Sequence, residues 1–488
     1  MTAGGERATW FLGRRLFLGG VALVHLIAFG SLGAQVLGLY GSEGIVPLAE
    51  RMQLLGERLV GWERLELPTL LWLGASDAVG AGALLALLAL LGLVPRLALA
   101  LCWLLYLSFV CVGSPFLDFQ WDVLLLEAGL VAVLYAPGGL RPFGRDQVPP
   151  ADLPRWLVYL LLFKLMVLSG AVKLTSGDPA WRDGSALAFH WWTQPLPHRL
   201  SVWAAELPAW TRGASCLTMF VIELGLPWLL VVPVWRRRLR QVVAAGVWLL
   251  MLAILATGNY GFFNLLTAVL ALPLLDDRAW RTLFRRAPEP PAMGLVAPRW
   301  RAALLALLAT PLGIVSLAQI TVGLGWLART PAPVRVLADA LEPLRSVNSY
   351  GLFRVMTRTR DEVQLEGSAD GTTWRPYRFR YKPGDPARAP VFAGLHMPRL
   401  DWQLWFVALE HGSGQRSRWM LDLVERLQAG APSVLSLLAE DPFPDAPPRW
   451  VRATVAPYRF ASPEERAQGL WWQRGPAEPF LPAREGPR

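Results

Sequence analysis

Nine stretches of the chain are apolar over most of their length: residues 16–38, 68–93, 97–113, 119–136, 156–174, 214–235, 241–257, 262–275 and 302–324. A helix needs about 20 mainly apolar residues to cross a bilayer. The pattern therefore predicts a polytopic α-helical membrane bundle of about nine spans, the eighth of them short. Residues 40–66 are mixed, with Glu43, Glu50, Arg51, Glu57, Arg58, Glu63 and Arg64. They read equally as an amphipathic interfacial helix or a solvated loop. From about Pro343 the pattern changes. Val363 and Leu365 alternate with polar residues before Asp370-Gly371, and Tyr377, Phe379 and Tyr381 alternate after it. Asp-Gly between alternating runs predicts a hairpin. "PRLDWQLWF" and "RWVRATVAPYRF" read as further strands; "SRWMLDLVERLQAG", closed by Gly430, and "SVLSLLAEDPF" read as short helices.

These patterns predict a bundle over 1–330, an extramembrane β-rich, sandwich-like domain with a few helices over 331–465, and a disordered Pro-, Gly- and charge-rich tail over 466–488.

Composition supports the membrane reading. Of the 488 residues, 54% are hydrophobic and 17% charged, where soluble domains carry about 25% charged residues. The 24 Trp suit membrane interfaces. The net charge of +10 is no nucleic-acid footprint, because the arginines flank apolar segments. With the N-terminus on the cytoplasmic side, loops and termini on that side hold seventeen arginines, Arg7, Arg145, Arg285 and Arg286 among them. The opposite loops hold six: Arg51, Arg58, Arg64, Arg182, Arg199 and Arg212. Cytoplasmic loops are enriched in Lys and Arg, so nine spans place the C-terminal domain outside. The first apolar run is long and lacks an A-x-A-like site, so no cleavable signal peptide is expected. Cys102, Cys111 and Cys216 lie in apolar runs with no metal or disulfide spacing. No metal and no cofactor is predicted.

Asp77, Glu127, Lys164 and Glu223 fall inside spans, where ionisable groups are expensive and usually pair within the bundle. At about 1.5 Å rise per residue, Glu127, Lys164 and Glu223 all fall near mid-depth. They are expected to form one intramembrane charge cluster, either pinning helices or lining a proton or substrate site. A transporter would use such charges too, but no inverted repeat is evident. Lys173 ends the fifth span. Nine residues after Lys164, it faces the opposite side of the helix, and it reads as a snorkelling anchor or as part of a site. Asp122 begins the fourth span from the same side, and Asn259 sits in the Gly-rich break after the seventh. Asp122, Lys173, Asp178, Trp181, Asp183 and Asn259, with His190, are therefore expected to converge on one polar cavity at the outer face of the bundle.

Long motifs carry a family resemblance. "GLYGSEGIVP", "FQWDVLLLEAG", the run from Trp181-Arg-Asp-Gly184 through His190-Trp to Gln194-Pro-Leu-Pro197, "GNYGFFNLLT", "EGSADGTTWRPYRFRYKPGD" and "PRLDWQLWF" together resemble the lipase maturation factor family over about residues 12–462. The resemblance implies a polytopic membrane protein, resident in the endoplasmic reticulum in eukaryotic relatives, that assists homodimeric lipases to fold through a lumenal C-terminal domain. The Arg/Ala/Pro/Leu-rich chain reads as a bacterial member, placed in the inner membrane with its C-terminal domain in the periplasm. "GAVKLTSGDPAWRDGSALAFHW" is also distantly similar to vitamin K-dependent γ-glutamyl carboxylase. That similarity implies an alternative: an integral-membrane enzyme acting on a lipophilic quinone or lipid, with Lys173 as base and His190 beside it.

The leading expectation is a chaperone-like maturation factor. Its expected partners are membrane lipids and a secreted or periplasmic client such as a lipase, and no nucleic acid. Trp402, Trp405, Phe406 and Trp419 are the expected client contacts, because aromatic side chains suit adaptable apolar contact.

Overall fold

The computed structural model describes residues 8–73, 78–143, 148–284, 298–325, 329–411 and 417–486. Every apolar stretch contains helix. They are α1 (Phe11–Gly33), α2 (Ala78–Leu90), α3 (Pro95–Val112), α4 (Gln120–Tyr135), α5 (Asp152–Thr175), α6 (Ala209–Phe220), α7 (Arg236–Thr257), α8 (Phe263–Leu270) and α9 (Arg299–Gly323). Among the described residues, six helices are long and apolar enough to cross a membrane: α1, α3, α5, α7, α9, and α6 with its continuation to Leu230. The second, fourth and eighth stretches gave shorter helices than their apolar length implied. In the second, Leu70–Leu73 forms a 3-10 turn ahead of α2. Asp77, Arg7, Arg145, Arg285 and Arg286 lie outside the described residues.

Helix α5 is the hub of the bundle, and α4, α8, α9 and the end of α6 all pack on it. Helix α6 is not regular throughout. It runs into a π turn at Val221–Gly225 and then a 3-10 turn at Leu226–Leu230. Gly170 of α5 faces that π turn, and a Cβ there would lie 2.6 Å from Leu224 Cγ. Glycine thus allows α5 and the π turn to touch. In the mixed segment, Leu48–Arg58 is helical with Glu50 in its first turn and no buried residue, so the helical alternative holds there.

The C-terminal domain is built on a five-stranded antiparallel sheet. Strand β1 (Asp361–Ser368) pairs with β2 (Arg375–Pro376) and with the long β5 (Trp450–Phe460). Strands β6 (Trp472–Arg474) and β7 (Glu478–Glu485) both pair with β5. The β1–β5 register runs from Asp361↔Pro457 to Ser368↔Trp450. Asp370-Gly371 does turn the chain between β1 and β2. The Asp370 carboxylate accepts from Thr372 N, Thr373 N and the Ser368 and Thr373 hydroxyls, which holds its pKa well below the usual range. A separate ribbon pairs β3 (Arg378–Phe379) with β4 (Leu438–Glu440).

Three local expectations are corrected. "PRLDWQLWF" is helix, α10 (Arg399–Leu409), not strand. Its buried Leu400, Leu404, Val407 and Ala408 follow the helical spacing, and a short apolar run fits period 2 and period 3.6 alike. "SVLSLLAEDPF" is helical only over Pro432–Leu435 and then becomes β4. The tail expected to be disordered is largely ordered, because β5 still had open edges for β6 and β7 to complete. The helix expected at 417–430 is α11 (Arg418–Gln428), closed by Gly430 at φ +64.

Candidate functional site

Bundle and domain interlock through polar side chains buried between them. Arg399, at the first turn of α10, is fully buried. It donates from Nη2 to Asp122 Oδ1 at 2.8 Å and from Nη1 to Asp122 Oδ2 at 3.0 Å and to Phe116 O at 2.7 Å. Tyr106 donates to the same carboxylate at 2.5 Å. Asn259 clasps another loop: Nδ2 donates to Val391 O and Leu196 O, and Oδ1 accepts from Ala393 N at 2.8 Å. Asp178 caps the short helix Pro179–Arg182 and accepts from Met356 N at 2.6 Å. Arg360 donates to the carbonyls of Trp192, Gln194 and Pro195.

A second polar centre lies within the bundle. Glu127 Oε1 accepts from Lys164 Nζ at 2.6 Å and from Ser316. Its Oε2 accepts from Tyr350 at 2.6 Å and from Asn348 N at 3.0 Å. One carboxylate thereby joins α4, α5, α9 and the chain that leads into the β-rich domain. Glu223 is not part of this group. The expected single cluster splits because Lys164 and Lys173 face opposite sides of α5. Depth along a span fixed their level but not their neighbours, and the π turn after α6 packs on the Lys173 face.

Lys173 Nζ contacts Glu223 at 2.8 Å and 3.0 Å, both side chains being buried, and sits 5.4 Å from the centre of the Trp181 ring. Trp181 Nε1 donates to Phe353 O at 3.0 Å. Lys173, Trp181, Glu223, His190, Tyr260 and Asn264 line one cavity of about 310 Å³ whose remaining walls are mostly apolar. His190 lies on the helix Ala186–Thr193, with Nε2 3.1 Å from the Tyr260 hydroxyl. Burial, with Lys173 nearby, lowers its pKa to about 4, so the ring is neutral at neutral pH.

The expected seven-residue convergence is therefore reduced to Lys173, Trp181 and His190. Asp122, Asp178 and Asn259 are consumed in bundle–domain contacts, and Asp183 is exposed, accepting from Ser185 N at 2.8 Å. Depth brought these groups to one layer, but the C-terminal domain docks on that layer and takes them as partners. Glu223, Tyr260 and Asn264 were not assigned to this site. "GNYGFFN" pointed at the last two; the partner of Lys173 had no local signal. The proposed client contacts are relocated as well. Trp402 is buried between Phe119, Trp121 and Tyr260, Trp419 is buried against Phe116, and Trp405 donates to Thr193 O. Phe406 alone of the four keeps a large exposed area, at 39%. Among the described residues, no group of three or more His, Cys, Asp or Glu side chains is arranged to hold a metal.

Comparison with known proteins decides the family. The lipase maturation factor transmembrane domain matches residues 12–282, and the lipase maturation factor C-terminal domain matches 346–482. The chain belongs to the lipase maturation factor family. It is 37% identical to human lipase maturation factor 2, over 97% of this chain and 82% of that protein. Its identity to bovine lipase maturation factor 1 is 32%, over 97% and 89%. No solved structure matches. The family match and the apolar helices make this a multi-pass membrane maturation factor. Nothing in these comparisons supports a carboxylase, and the site agrees in its geometry: the amine of Lys173 is already taken up by the Glu223 carboxylate, with contacts at 2.8 Å and 3.0 Å to its two oxygens.

Proposed function

We propose that the chain is a membrane-embedded folding factor for a secreted client of the lipase class, acting by transient contact with apolar client surface and not by covalent chemistry. All nine apolar helices cross the membrane, with the N-terminus cytoplasmic and the C-terminal domain extracytoplasmic, which in a bacterial inner membrane is the periplasm. The observation that carries the reading is the end-to-end match, through both domains, to proteins named for lipase maturation. The buried Lys173–Glu223 pair supports it by disfavouring the enzyme alternative. Client contact falls to apolar groups still open on the outer domain. Phe406 and Leu409, one turn apart on α10 and 39% and 50% exposed, are the strongest pair.

The test is co-expression with a secreted lipase, read as activity per mass of lipase secreted. The full chain should raise that ratio. Phe406→Ser with Leu409→Ser should lower it while the factor itself accumulates normally. An unchanged ratio with the full chain rejects the maturation role; a normal ratio with the double variant rejects only this contact surface. For the topology, a reporter active only outside the cytoplasm should work after Arg488 and fail after Arg240. The reverse pattern inverts the arrangement.

A further inference from the structure

The cavity beside Lys173 carries buried hydrogen-bonding groups that the fold leaves unused. Asn264 is only 2% exposed, and neither its Oδ1 nor its Nδ2 has a partner among the described residues; His190 Nδ1 has none either. Buried polar atoms are nearly always paired, and leaving one unmade costs about 1–3 kcal/mol. Both residues line this same cavity.

The hydrogen-bond chain fixes what His190 can offer. Gln194 Nε2 donates to the Trp191 and Thr257 carbonyls, so its Oε1 is an acceptor, and Tyr260 gives it its only hydroxyl proton at 2.8 Å. Tyr260 oxygen must then accept from His190 Nε2–H, and His190 Nδ1 is left as a lone-pair acceptor. With the Asn264 amide, the site offers two acceptors and two N–H donors. A hydroxyl satisfies both kinds at once. A carboxylate or a plain ester cannot donate. Lys173 and Glu223 cancel each other's charge, so no spare cation remains for an anionic head.

The cavity continues towards lipid. A groove between α6 and α7, lined by Trp210, Ala214, Thr218, Ile222 and Leu249, shares Ser215, Met219, Leu250 and Ala253 with it. Helix α7 packs closely on the π and 3-10 turns that follow α6 and little on α6 itself. Such π turns occur frequently at functional sites. Phe353, on the cavity wall, holds φ +54, an outlier for a bulky residue of the kind that clusters at ligand clamps.

We infer that the space between α5, α6, α7 and α8 binds a single-chain lipid with an uncharged hydroxyl-bearing head, of the monoacylglycerol class. The head sits against Asn264 and His190, and the acyl chain leaves through the α6–α7 groove. This holds whether or not the client is a lipase. Its test is photolabelling of the purified full-length protein in lipid nanodiscs with a diazirine-tagged monoacylglycerol, mapped by peptide mass spectrometry. Label should concentrate on the α6 and α7 segments around Met219 and Met251. Monoolein should compete at least tenfold better than methyl oleate, which lacks the donor, and better than oleate, which is charged. Asn264→Leu should weaken labelling about tenfold, the scale of one or two lost hydrogen bonds. Ala253→Trp, at the lipid-exposed junction of groove and cavity, should block labelling even if Asn264→Leu fails to fold. Label spread evenly over the lipid-facing helices, equal competition by oleate or methyl oleate, or undiminished labelling of Ala253→Trp overturns the inference.

Discussion

Replacing Arg399 with Met tests how the two halves of the molecule are held. At 2.8 Å and an effective dielectric constant of about 20, the attraction between Arg399 and Asp122 is about 6 kcal/mol. Desolvation of the two ions opposes it by several kcal/mol each, so the pair as a whole contributes little against an apolar substitute. Removing one member is different. Asp122, 0% exposed, would keep its desolvation penalty with only Tyr106 and local backbone left to it. We expect Arg399→Met to destabilise the full chain by about 3–5 kcal/mol. Asp122→Leu combined with Arg399→Met should recover most of that loss. Arg399→Lys should recover little, since an ammonium cannot span both carboxylate oxygens and Phe116 O together. The assay is equilibrium unfolding in mixed detergent, with limited proteolysis of residues 345–360 reporting release of the domain. A loss under about 1 kcal/mol for Arg399→Met, or additive losses in the double variant, would refute the argument.

Three further outcomes are expected. Lys173→Arg should retain near-parental stability and maturation activity while Lys173→Met loses about 3 kcal/mol by stranding Glu223; equal damage from both, with folding intact, would revive a proton-transfer role for the lysine. Glu127→Gln should destabilise by about 3–5 kcal/mol, because Lys164 stays buried without its counter-charge, and melting temperature measured at two salt concentrations should drop by the same amount, since salt screens a buried pair little. His396, whose Nδ1 lies 3.0 Å from Ser31 Oγ at the bundle–domain seam, is lowered to about 4 by burial and then by Arg399 and Arg380. Its folded form is neutral while the unfolded ring takes a proton near 6.5, so its contribution is present above pH 6.5 and is lost as pH falls towards 4. Allowing for the ring's partial exposure, the loss is about 1 kcal/mol; His396→Asn should flatten the slope of stability over that window, and an unchanged slope would refute the assignment.

The sequence by itself determined the class of the protein. Apolar runs, sparse charge and arginine-flanked segments follow from the requirement that a membrane helix satisfy its own backbone and bury no unpaired ion, and each leaves a local mark. The switch to alternation near Val363 and the Asp370-Gly371 turn were equally local, whereas the pairing of β1 with β5, far along the chain, was not. The opposed faces of Lys164 and Lys173 followed from helical rotation alone. Partner choice did not. Glu223 joined Lys173 only because the π turn after α6 packs on that face of α5, with Gly170 opening the way. Asp122 and Asn259 left the cavity because a domain some 130 residues or more further along the chain docks on them. Trp402 and Trp419, indistinguishable in sequence from surface aromatics, became the packing of that seam. Even "PRLDWQLWF" took its period from its surroundings: Asp401 accepts from Tyr381 N and Lys382 N, and Arg399 reaches Asp122 only from the first turn of a helix. Rotation, hydropathy and turn chemistry act within a few residues and can be read along the chain. Which buried charge meets which is settled only when distant segments compete for the same desolvated space.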